Sequence, residues 1–183
     1  MKNTLFSRHK KFLLTFNLIE LFFYLLMIIG LLFLPLASYN PSYFDSTKIT
    51  FKFFDLIKTN SGVLWGAFLV FISTILCASN ITSFYNKENW KEKSNIALIL
   101  SIASVLLSII GISVLFVSCS EYTVQSSGYF TKETTYFLDA EIGLFLAFCG
   151  IISNIISLAI AICVKLVAIG KLDEDKVFGK SQQ

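Results

Sequence analysis

The sequence predicts an all-α membrane protein, a four-transmembrane-helix bundle with a small β-structured outer cap formed by its two outer loops, the alternative being irregular loops in an interfacial aromatic belt. Three observations lead there. Apolar residues make up 55% of the 183-residue chain, and the mean hydropathy is +0.73. A soluble domain has roughly 45–50% apolar residues. Here they gather into four blocks, 12–37, 62–85, 95–118 and 140–168. Each block reaches the length of about 20 residues that carries a helix across a bilayer. Finally, charge is concentrated between the blocks rather than at their centres.

The chain therefore reads as one membrane domain, 1–183. Residues 1–11 form a first tail with Lys2, Arg8, Lys10 and Lys11 and no acid. The 12–37 block follows as a retained first helix. Its apolar run exceeds the usual core of about 7–15 residues in a signal peptide, and "LPLASY" is a poor cleavage site.

Residues 38–61 form the first outer loop. Asn40-Pro41 marks a turn, and Ile49, Phe51 and Phe53 alternate as in a short strand. "FDLIKTN" reads as a half-turn leading into the second helix, 62–85. Residues 86–94, "NKENWKEKS", are too short for a domain linker and form a tight hairpin, with Trp90 expected half-solvated at the headgroup level. The third helix is 95–118. In the second outer loop, 119–139, two Thr/Tyr/Val-rich runs flank Ser-Ser-Gly, a hairpin signal. The fourth helix, 140–168, leads into the tail 169–183.

Lys and Arg favour loops that stay in the cytoplasm. Eleven of the 15 basic residues fall in the tails, in the 86–94 hairpin and at Lys165, on one side of this threading. Only Lys48, Lys52, Lys58 and Lys132 fall on the other. Both termini are therefore expected in the cytoplasm of a multi-pass membrane protein.

Helices in lipid associate through close packing of small residues and a few hydrogen bonds. The fourth helix carries such a stripe: Gly143, Ala147, Gly150, Asn154, Ser157 and Ala161, in steps of four and three. Ser101, Ser104, Ser108 and Gly111 repeat the pattern on the third, and Gly62, Gly66, Ser73 and Cys77 on the second. The first helix has only Gly30 and is expected at the periphery.

Three intramembrane polar residues are candidate binding groups: Glu20, Asn154 and Lys165. A charge at the helix centre costs about 2.5–3.5 kcal/mol on insertion scales. Glu20 and Lys165 are expected as separately solvated groups near the cytoplasmic interface, with an ion pair between them as the alternative. Asn154 is expected to hydrogen-bond across helices.

The chemistry of catalysis is not visible. The single histidine, His9, lies in a basic tail and has no HExxH context. No His or Lys at membrane depth could serve a nucleophilic Ser, and there is no intramembrane Asp pair and no phosphate-binding glycine loop. The four cysteines have no zinc spacing and no extramembrane pairing. Neither enzyme activity, nor a metal, nor a cofactor is expected. With a net charge of +3 spread over loops, nucleic acid is not an expected partner.

The layout resembles the claudin-like tetraspan proteins: both ends inside, a longer first outer loop and a short inner hairpin. That family's Trp-Gly-Leu-Trp and paired-Cys signature is missing from 38–61, so the likeness stops at the layout. The expected role is a non-catalytic accessory, regulatory or scaffold subunit of a membrane assembly. Its partners would be the lipid bilayer and other membrane-protein subunits or further copies of itself. The alternative is a small pore or transporter component for ions or small solutes.

Overall fold

A computed structural model describes residues 4–40, 48–80, 84–85, 87–126 and 132–179. The described chain is mostly helical. Its elements are α1 (Leu5–Arg8), α2 (Lys10–Phe33), β1 (Ala37–Tyr39), β2 (Ile49–Phe51), α3 (Phe53–Leu56), α4 (Ser61–Asn80), α5 (Trp90–Ser118), β3 (Glu121–Ser126), β4 (Lys132–Phe137), β5 (Asp139–Ala140), α6 (Ile142–Ala147), α7 (Cys149–Ala168) and α8 (Glu174–Phe178). Four helices are long and apolar enough to cross a membrane: Lys10–Phe33, Ser61–Ala78, Trp90–Ser118 and Ile142–Ala168. These are the four expected blocks with shifted ends.

The shifts have local causes. The first helix stops at Phe33 because Pro35 disfavours helical geometry at the residue before it. The third begins five residues early, at Trp90, because "WKEKS" folds as helix. Near the start of the fourth, the Phe148 N–H bonds to the Phe145 carbonyl, three residues back, and this tighter turn separates α6 from α7.

Contacts divide the chain into two compact units. One comprises Met1–Tyr24, Phe71–Ser108 and Gly150–Gln183; the other comprises Leu25–Val70 and Ile109–Cys149. In the first unit, segments of α2, α4, α5 and α7 pack around a line of small and polar residues. Ser73, Cys77, Ser101, Ser104, Ser108, Ser153, Asn154, Ser157 and Ala161 are all buried. At one end of this unit an apolar core joins Leu5, Leu13, Tyr85, Trp90, Ala97, Ile160, Val164, Val167 and Phe178. Trp90 is therefore not a half-solvated headgroup anchor. It is 2% exposed, with Arg8 and Lys91 near its ring at 5.9 and 5.7 Å.

In the second unit the stripes become backbone contacts. A Cβ added at Gly66 would stand 2.8 Å from the Gly111 carbonyl, and one at Gly143 would stand 2.6 Å from the Gly30 carbonyl. Only glycine permits approaches this close. The first helix joins them through Gly30, the one small residue the sequence offered there.

The same unit holds the β structure. β1 pairs antiparallel with β2 (Ser38 opposite Thr50) and with β5 (Ser38 opposite Asp139), so one three-stranded sheet joins both loops. β3 and β4 form the expected hairpin, with Tyr122 opposite Tyr136; its turn, like the Asn40-Pro41 turn, lies outside the described residues. Ring contacts tie sheet to hairpin: Tyr39 to Tyr136 at 4.8 Å and Phe51 to Tyr122 at 4.7 Å. Lys48 pairs with Glu141, which also accepts a 2.6 Å hydrogen bond from Ser38.

Candidate functional site

The first unit gathers most of the buried polar groups carried by the long apolar helices. On α2 the residues turned inward are Leu13, Glu20, Tyr24 and, in the second unit, Met27 and Leu31. They recur in steps of seven, four, three and four, the seam of a helix packed on neighbours. The other face carries Leu18, Leu21 and Phe22, all more than half exposed. Glu20 therefore points into the unit because it falls on the packed seam.

Asn154 of α7 is the hub. Its Oδ1 accepts a hydrogen bond from the Tyr24 hydroxyl at 3.0 Å. Its Nδ2 donates to Ser73 Oγ of α4 at 3.1 Å and lies 3.5 Å from the Ser104 carbonyl of α5. One fully buried amide thus links four helices, and the expected interhelical role of Asn154 has its partners. The Ser153 hydroxyl next to it donates to the main-chain carbonyl of Glu20 at 3.2 Å. Ser104 and Ser108 turn back to their own helix, donating to Ser101 and Val105 carbonyls at 2.8 Å each.

Glu20 is the exception in this satisfied network. Its side chain is 1% exposed, and neither carboxylate oxygen makes a hydrogen bond of ordinary geometry. The Ser157 hydroxyl is close enough to act on it. Glu20 is thus buried among helices and not solvated, contrary to expectation. Counted along α2, Glu20 lies ten residues from Lys10, about 15 Å at 1.5 Å per residue. Nor do the ion pairs among the described residues join Glu20 to Lys165, which is half-buried near the end of α7. The remaining stripe residues, Gly143, Ala147, Gly150, Ser157 and Ala161, are buried as the small-residue pattern predicts.

Both tails hold a second cluster that the sequence did not reveal. Thr4 caps α1, with reciprocal bonds between Thr4 and Ser7. Arg8 Nη1 and His9 Nε2 converge on Glu174 Oε1 of α8 at 2.7 and 2.8 Å. The His9 ring also packs on Phe178 at 5.4 Å, and Phe178 on Phe12 at the same distance. Asp173 caps α8 by accepting from the Asp175 N–H. His9, the only histidine, is thus a buried packing residue tied to a carboxylate. The signal in the sequence was slight: an isolated Val-Phe pair beyond a charged Asp-Glu-Asp run.

No protein-family model, no curated protein and no solved structure matches this chain.

Proposed function

We propose that the protein is a multi-pass membrane protein, with both termini in the cytoplasm, that serves as a non-catalytic accessory, regulatory or scaffold subunit of a membrane assembly. The observation that carries this reading is where the small residues point. Gly66 meets Gly111 and Gly30 meets Gly143 at backbone-contact distance, while Asn154 ties Tyr24, Ser73 and Ser104 together. The stripes that could have lined a water path are consumed in helix–helix contacts. What remains outward is apolar, as at Leu18, Phe22, Trp65, Phe68, Ile99, Leu106 and Ile155. Such faces suit lipid and the flanks of other membrane helices. The sheet joining the two outer loops supplies an ordered extramembrane cap for partner contacts.

The pore or transporter reading keeps one observation in its favour, the unpaired Glu20 carboxyl beside the Asn154 network. Purified protein in liposomes loaded with ion-sensitive dyes separates the two. The accessory reading expects no flux of protons, sodium, potassium or chloride above that of empty vesicles. It also expects co-purification from the native membrane with a larger partner in fixed stoichiometry. Flux that follows protein dose would replace it with the transporter reading.

A further inference from the structure

We propose that Glu20 is a proton-binding site inside the helices of the first unit, where the bound proton lets α2 pack against α7. The Glu20 side chain is 1% exposed and both of its oxygens lack a hydrogen-bond partner of ordinary geometry. A carboxylate in such surroundings has lost its water and gained no counter-charge. Burying the neutral acid is far less costly than burying the ion.

The identity of the bound cation follows from the neighbouring oxygens. A sodium ion needs several oxygen ligands converging on one point, as hard cations do. Here the neighbouring side-chain oxygens are directed to other partners and do not converge on the Glu20 carboxyl, whose two oxygens make no hydrogen bond of ordinary geometry. Ser153 Oγ donates to the Glu20 carbonyl, Asn154 Oδ1 accepts from Tyr24, Ser73 Oγ accepts from Asn154, and Ser104 Oγ donates to Ser101. Among the described residues the Ser157 hydroxyl is the side-chain group that acts on the carboxyl. A proton is the cation that needs a single oxygen, and it converts an orphaned carboxylate into a neutral acid with Ser157 beside it.

The titratable groups facing Glu20 are consistent with that occupant. Tyr24 on α2, Cys77 on α4 and Tyr85 beyond α4 are buried side chains of types that are neutral or anionic, so none of them can balance a carboxylate. α5 has no titratable side chain from residue 95 to 118. On α7 the nearest cation in sequence is Lys165, two turns beyond Ser157, and it forms no ion pair with Glu20. This inference stands whether the protein is an accessory subunit or a transporter, because it concerns equilibrium occupancy and not flux.

Infrared spectroscopy of the protein in lipid vesicles tests it. The probe is the proton itself, titrated in choline chloride buffer, and then at fixed pH with sodium chloride replacing choline. The expected result is a carboxylic-acid C=O stretch at neutral pH that is lost in Glu20→Gln and shifted in Glu20→Asp. The aspartate variant keeps the assignment open should the glutamine variant fail to insert. A Glu20 signal present only as the carboxylate at neutral pH overturns the proposal. Loss of the acid band on adding sodium at constant pH also overturns it, and makes the site a sodium site.

Discussion

Replacing Gly143 by alanine tests the close approach of α6 to the end of α2. A Cβ built there stands 2.5 Å from the Pro35 carbonyl oxygen, 2.6 Å from that of Gly30 and 3.1 Å from that of Leu34. Carbon and carbonyl oxygen rest at about 3.3 Å or more. The segments must therefore part by about 0.7–0.8 Å. All three obstacles are main-chain atoms, so no side chain can rotate away. Parting also strains the 2.9 Å hydrogen bond from the Gly143 N–H to the Pro35 carbonyl. Overpacking of this kind costs about 1–3 kcal/mol. The gain in helix propensity, up to about 1 kcal/mol in a helix interior, is smaller at the second residue of α6. A net loss of about 1–2 kcal/mol is expected, read as a lowered unfolding midpoint in mild detergent. Phe145→Leu, on the exposed face of the same helix, should stay within about 0.5 kcal/mol of wild type. A Gly143→Ala protein as stable as Phe145→Leu would refute the contact.

Three further outcomes follow from the same geometry. Asn154→Leu and Tyr24→Phe, combined in a double-mutant cycle, should couple by about 0.6 and at most about 1.7 kcal/mol, the range of hydrogen bonds in membrane helices; strict additivity would remove the bond. The hydrogen bond and charge of Lys48, with the Ser38 hydroxyl, hold the Glu141 carboxyl below its ordinary value of 4.5. That contribution is complete above the ordinary value and fades as pH falls through the lowered one. Because the pair is partly exposed it amounts to about 0–1 kcal/mol, and Lys48→Met should flatten this acid limb of the stability profile. Glu174→Ala releases Arg8 and His9 and undocks Phe178, so trypsin should cut at Lys171 and Lys176 faster than in wild type; an unchanged rate would count against docked tails.

The four long helices were legible because unbroken apolar blocks of about 20 residues read as helices long enough to cross a membrane. The small-residue stripes were legible too, since in lipid only small residues permit backbone contact, and Gly143, Ala147, Gly150, Ser157 and Ala161 are buried accordingly. The inward face of α2 was not. Leu13 and Met27, buried, are as apolar as Leu18, Leu21 and Phe22 on the exposed face, so periodicity could not orient Glu20. Trp90 was misplaced for a related reason. Interface and core both suit an indole, and the choice depended on Leu5, Leu13 and Phe178, residues far apart in sequence. The β3–β4 hairpin was legible from two Thr/Tyr/Val-rich runs around Ser-Ser-Gly, whereas β5 is two residues long and takes its identity from pairing with β1.

The threading on which the functional reading rests is tested most directly by cysteine accessibility in intact cells. In a background without Cys77, Cys119, Cys149 and Cys163, single cysteines would replace Glu121, exposed at the start of β3, and Asn89, exposed in the hairpin before α5. With an impermeant maleimide, the Glu121 position should label at the cell surface. The Asn89 position should label only after the membrane is opened. Labelling of Asn89 from outside with Glu121 protected would contradict the account.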